Sequence, residues 1–141
     1  MSRTPLAVAL VAGVITLVAF TGTSRAVQCF NATIDGTQAG TGSPGTGTGV
    51  FELSDDETVL SYHVTYSGLT GTETASHIHS DAEGGAVVKD IGTGVNKFGR
   101  WTSTDVIPMT PARVVALKAG QLYVNVHSTT LSSVPLKRTA R

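Results

Sequence analysis

Four histidines occur in a chain of 141 residues, and two of them stand one residue apart in ASHIH, at His77 and His79. A third, His127, closes the segment QLYVNVH. On a β-strand residues i and i+2 share a face, so His77 and His79 point one way and Ile78 the other. In QLYVNVH the same period separates Leu122, Val124 and Val126 from Tyr123, Asn125 and His127. If Ile78 and the aliphatic set enter a core, all three histidines face outward. Adjacent strands would then gather His77, His79 and His127 into one patch with Tyr123 and Asn125. Three neutral imidazoles in such a patch suit a borderline divalent metal, copper or zinc above all. Tyr123 and Asn125 are the candidate outer partners that would hold the ring tautomers. The competing explanation is a set of solvated or hydrogen-bonded strand histidines, because polar residues on an outer sheet face need no special reason. His63 alternates against Tyr62 and Val64 and is expected on a solvent face, outside the patch.

Catalytic chemistry finds little support, and no catalytic residue is assigned. There is no GxSxG elbow, and the Gly/Thr-rich stretch is not followed by the Lys-Ser/Thr of a phosphate-binding loop. Cys29, the only cysteine, has no histidine near it in sequence and cannot form a disulfide within the chain, so it is read as a free thiol, with pairing between two chains as the alternative. Asp55, Asp56 and Glu57 form an acidic turn that reads as solvated rather than as a calcium site. Asn31-Ala32-Thr33 is a glycosylation sequon, meaningful only in a eukaryotic host.

The elements that must carry the histidines read as short strands separated by Gly/Thr turns. CFNATID alternates, and TVLSYHVTYSGL places Leu60, Tyr62, Val64 and Tyr66 on one face. VFEL, TASHIHS, AVVKDI, RWTS and QLYVNVH complete the strands, with a flexible loop over 36–49 and a turn in GTGVNKFG. One helix is expected from Pro111 to Ala119, capped by Thr110 and ended by Gly120, with Val114, Val115 and Leu117 inward. The pattern is that of an all-β antiparallel sandwich with one short helix. Its expected core includes Trp101, Tyr62, Val64, Ile78, Val87, Val124 and Val126.

Residues 1–26 read as a secretory signal peptide: Arg3, an apolar run from Leu6 to Phe20, and small residues Ser24 and Ala26 before the expected cleavage. The apolar run is shorter than the ~20 residues of a spanning helix. A single domain over 27–141 is expected to be secreted, extracellular or periplasmic, with no membrane attachment after cleavage. Without Arg3 and Arg25 the ten basic residues become eight against ten acidic ones, a formal charge of −2 that argues against nucleic acid as a partner.

Several of these segments together resemble the CHRD domain, the chordin-type family. LSYHVTYSGLTGTETASHIH, then Gly99-Arg100-Trp101, then LKAGQLYVNVHS carry the resemblance, which spans roughly Phe30 to Ser128. It implies an immunoglobulin-like β-sandwich, distantly similar to copper/zinc superoxide dismutases, whose copper ligands include a His-x-His pair. The chain departs from the family pattern in the loop TQAGTGSPG, which lacks the usual Glu-Val-Pro-Pro. It departs again in the tail over 129–141, where LSSVPLKRTAR replaces an acidic last strand. A dismutase reaction needs two metals bridged by a histidine and an acidic zinc ligand, which four histidines on different faces do not readily supply. The expected function is therefore a non-enzymatic exported domain holding copper or zinc. The alternative is a metal-free adhesion module that binds an extracellular protein, and a superoxide-dismutase-like oxidoreductase ranks behind both. The sequence leaves the oligomeric state open.

Overall fold

A computed structural model describes residues 26–37, 40 and 42–130. The expected signal segment, apart from its last residue, and most of the diverged tail lie outside the described residues. Among the described residues seven strands form two antiparallel sheets: β1 (Gln28–Asp35), β2 (Thr46–Leu53), β3 (Val59–Ser67), β4 (Glu73–Ser80), β5 (Ala86–Asp90), β6 (Asn96–Thr102) and β7 (Leu122–Ser128). The four-stranded sheet runs β1-β2-β3-β6 and the three-stranded sheet β5-β4-β7. The two sheets make a sandwich, as the period-two alternation implies. A short 3-10 turn (Asp81–Glu83) leads from β4 to β5.

Alternation places Phe51, Leu53, Leu60, Tyr62, Val64 and Trp101 on the inner face of the larger sheet, and Ile78, Val88, Val124 and Val126 on that of the smaller. Trp101 is fully buried and its indole N–H donates to the Ile107 carbonyl at 2.7 Å, which satisfies its one polar atom. Gly99, opposite Tyr62 in the β3–β6 register, leaves the space that the phenol ring fills; a Cβ there would overlap the ring.

Four sequence expectations are corrected. Val87 is 40% exposed, and Val88 takes the core position at 0%. The reason is a β-bulge: Ile78 pairs with Lys89 but His79 pairs with Val87, so Val88 and Lys89 together oppose Ile78. In an uninterrupted register Val87 would have stood opposite Ser80, on the inner face. Val115 is 66% exposed while Ala116 is buried. At 3.6 residues per turn Val115 lies about 100° round the helix from Val114, on the side away from Leu117. The stretch expected as a loop over 36–49 ends early, because β2 begins at Thr46; Gly47 and Gly49 fit there because Tyr66 and the Phe51 ring occupy the space of their missing side chains. The turn in GTGVNKFG likewise yields to β6 at Asn96.

The helix α1 (Pro111–Lys118) keeps its expected punctuation. Thr110 Oγ1 accepts the Arg113 N–H, and Gly120, with φ of 68°, follows the Ala119 cap. At the end of the sandwich a polar cluster joins the sheets. Lys97 Nζ lies 2.8 Å from Glu73 Oε1, with side chains 2% and 6% exposed. Tyr66 donates its hydroxyl to Glu73 Oε2 at 2.7 Å, and Ser76 Oγ and the Gly94 N–H also donate to the carboxylate. Lys97 in turn donates to the Gly94 carbonyl and sits over the Tyr66 ring.

Candidate metal centre

The three-stranded sheet places the histidines. On β4, Ser76, Ile78 and Ser80 face inward and are buried, so His77 and His79 face outward. The β4–β7 register sets Ala75 opposite His127, His77 opposite Asn125 and His79 opposite Tyr123. Residues directly opposite share a face, so the outer surface of this sheet carries all five residues singled out by the spacing. One ring nitrogen from each of His77, His79 and His127 lies within 4.8 Å of the other two. Three points that close have a common centre no more than about 2.8 Å from each, against Zn–N bonds of ~2.0–2.1 Å, so the spacing is compatible with a single ion. His77 Nδ1 and His127 Nε2 are 3.3 Å apart, near the separation of about 3.4 Å that two nitrogens adopt on a tetrahedral ion.

The outer face here is less open than a solvated sheet. His79 is 9% exposed and Asn125 4%. Tyr123 stacks on the His79 ring with centroids 5.1 Å apart and planes 9° from parallel. His79 Nδ1 is 2.9 Å from the Gly85 carbonyl. A carbonyl only accepts, so Nδ1 carries the proton and Nε2 is left as a bare acceptor. That Nε2 is buried and has no hydrogen-bond partner, and Asn125 Oδ1 is in the same condition. Burial is the main cause holding His77 below its ordinary pKa, with His127 beside it adding to the effect and Asp90 opposing it. The ring is thus kept in the neutral form that ligates metal.

The outer partner of His79 is therefore the backbone of Gly85, in the left-handed region at φ of 81°, and Tyr123 contributes a stacked ring instead. Sequence reasoning missed Gly85, although the Gly84-Gly85 pair after an acidic turn is the usual mark of such backbone. Asp90, opposite His77 across β5, was also missed, since no pattern within one strand reports a cross-strand neighbour. His63 lies on the other sheet, stacked on Phe98 with centroids 4.0 Å apart and 2.6 Å from Asn96 Oδ1, so it takes no part.

A family model for the CHRD domain matches residues 30–133. The chain belongs to the CHRD domain family. No curated protein and no solved structure matches the chain. The CHRD fold accounts for the segments that carried the resemblance: HIH and LYVNVH lie on the paired strands β4 and β7, and Gly99 and Trp101 stand on the inward face of β6. Membership supports an extracellular-type module, and among the described residues no helix is long and apolar enough to cross a membrane.

Proposed function

We propose that this CHRD domain is exported and binds one copper or zinc ion through His77, His79 and His127, without turning over a substrate. The observation that carries the reading is the His79 ring. Its Nδ1–H donates to the Gly85 carbonyl and its Nε2 is buried and unpartnered, and one nitrogen of the ring lies within 4.8 Å of a nitrogen on each of two further imidazoles. A buried acceptor without a partner costs ~1–3 kcal/mol, and a coordinated ion removes that cost. Three imidazoles leave a fourth position for water or another ligand. Neutral nitrogen donors favour copper over zinc in the general order of divalent affinities.

Titration calorimetry and elemental analysis of the purified protein test this. One Cu(II) or Zn(II) per chain is expected, with His79→Ala and His127→Ala each weakening binding at least tenfold and His63→Ala leaving it unchanged. Failure of the wild type to bind either ion more tightly than roughly millimolar, or equal loss in His63→Ala, rules the site out. Export is tested separately: the secreted chain should begin at Val27. The metal-free reading, an adhesion module for an extracellular protein, draws on the same 3.3 Å contact, which also fits a His77–His127 hydrogen bond. A wild type that binds no metal yet loses stability in His127→Ala would favour it.

A further inference from the structure

The outer face of the four-stranded sheet carries a pattern that no described element of this chain answers. Register pairs Val50 with His63 and His63 with Phe98, so these three form one row across β2, β3 and β6. The next row is Glu52, Ser61 and Arg100. Val50 is 43% exposed and Phe98 69%. Glu52 and Arg100 are both exposed, and neither makes an ion pair among the described residues. They stand two strand spacings apart, roughly 9.6 Å, with the short Ser61 between them.

We infer that this face binds a second copy of the same chain. A twofold axis parallel to the strands and passing over β3 lays β2 of one copy on β6 of the other, at the same level along the strands. Glu52 then meets Arg100 of the partner twice, and Val50 meets Phe98 of the partner twice. The His63 rings, each already stacked on Phe98, meet at the axis. Such an interface is isologous, with one patch answering itself. Facing sheets pack ~10 Å apart, a gap that Glu and Arg side chains span together. The acid on β2 and the base on β6 are what select this pairing: a heterologous partner would need the mirrored charge order, which this chain supplies by itself.

Sedimentation velocity on the purified protein in a chelating buffer, across a concentration series, tests the inference. The wild type should form a concentration-dependent dimer. Arg100→Glu sets acid against acid at both contacts, and Glu52→Arg sets base against base, so each variant alone should dimerise at least tenfold more weakly. In an equimolar mixture of the two, a heterodimer restores charge balance at both contacts: Glu52 of the Arg100→Glu copy meets the unchanged Arg100 of the other, the two introduced residues pair acid with base, and the mixture should associate more tightly than either variant by itself. Both residues are exposed, and circular dichroism checks that the variants fold. A wild type that stays monomeric overturns the proposal. So does a dimer that is indifferent to both variants, or a mixture no tighter than its components.

Discussion

A histidine becomes a ligand through what its second nitrogen touches. In the proposed site His79 offers the clearest case, because its Nδ1–H donates to the Gly85 carbonyl and Nε2 is left bare. Gly85 has φ of 81°, and a Cβ there would come within 3.4 Å of the Tyr123 hydroxyl. Gly85→Ala should therefore cost about 1 kcal/mol in stability and, by shifting the carbonyl, weaken metal binding by roughly 10–100-fold. Chemical denaturation and calorimetry on the same variant separate the two effects, and unchanged affinity would show that the carbonyl does not hold the ring. The pH dependence has a definite sign. Burial, and then His127, hold His77 below the ordinary 6.5, so that ring stays neutral above that value. Affinity should fall as pH drops below 6.5 through the folded-state value, and an affinity flat from pH 7 to 4 would exclude imidazole ligation.

At the scale of the element, the bulge in β5 decides which of two adjacent valines is inside. Val88→Ala removes fully buried methyl groups and should cost on the order of 1–3 kcal/mol, whereas Val87→Ala should stay within about 0.5 kcal/mol. Equal costs in urea melts would mean that the bulge is misplaced. The same bulge brings Val87 to the outer face opposite His79, so it shapes the rim of the histidine patch as well as the core. In α1 the cap is local and separable: Thr110→Ala should cost about 1 kcal/mol, since the Arg113 N–H loses its acceptor.

For the molecule as a whole, Glu73 and Lys97 tie one sheet to the other. The pair is nearly closed to water, so removing one member strands a buried charge; Lys97→Met should cost about 3–5 kcal/mol. Burial raises the Glu73 carboxyl, but Lys97, Ser76, the Gly94 N–H and Tyr66 outweigh it, and the group ends below 4.5. Its folded value lies below its unfolded one, so the unfolded chain binds the extra proton. The stabilisation is complete above 4.5 and is lost as pH falls through the folded value. Acid denaturation of wild type against Glu73→Gln should show that the loss below pH 4.5 is steeper in the wild type. Burial and the neighbouring carboxylate together push the Tyr66 hydroxyl up to about 12, so the cluster holds its donor through the alkaline range.

Strand identity and face were legible before any coordinates, because alternation is a local property of each segment. TVLSYHVTYS, ASHIH and QLYVNVH each declare an inward and an outward set, and the inward residues of all three are largely buried. The helix caps were legible for the same reason, since Thr110, Pro111 and Gly120 act on their immediate neighbours. Which strands lie side by side was not legible: His77 and His127 are fifty residues apart, and only the β4–β7 register brings their nitrogens to 3.3 Å. The bulge escaped because consecutive valines show no alternation. The Glu73–Lys97 pair escaped because nothing in either segment distinguishes a buried charge from a solvated one. Sequence alone determined the period of the clearly alternating strands and the residue types offered to their faces; tertiary structure decided their neighbours. Distances between strands depend on pairing, and pairing is a property of the whole chain.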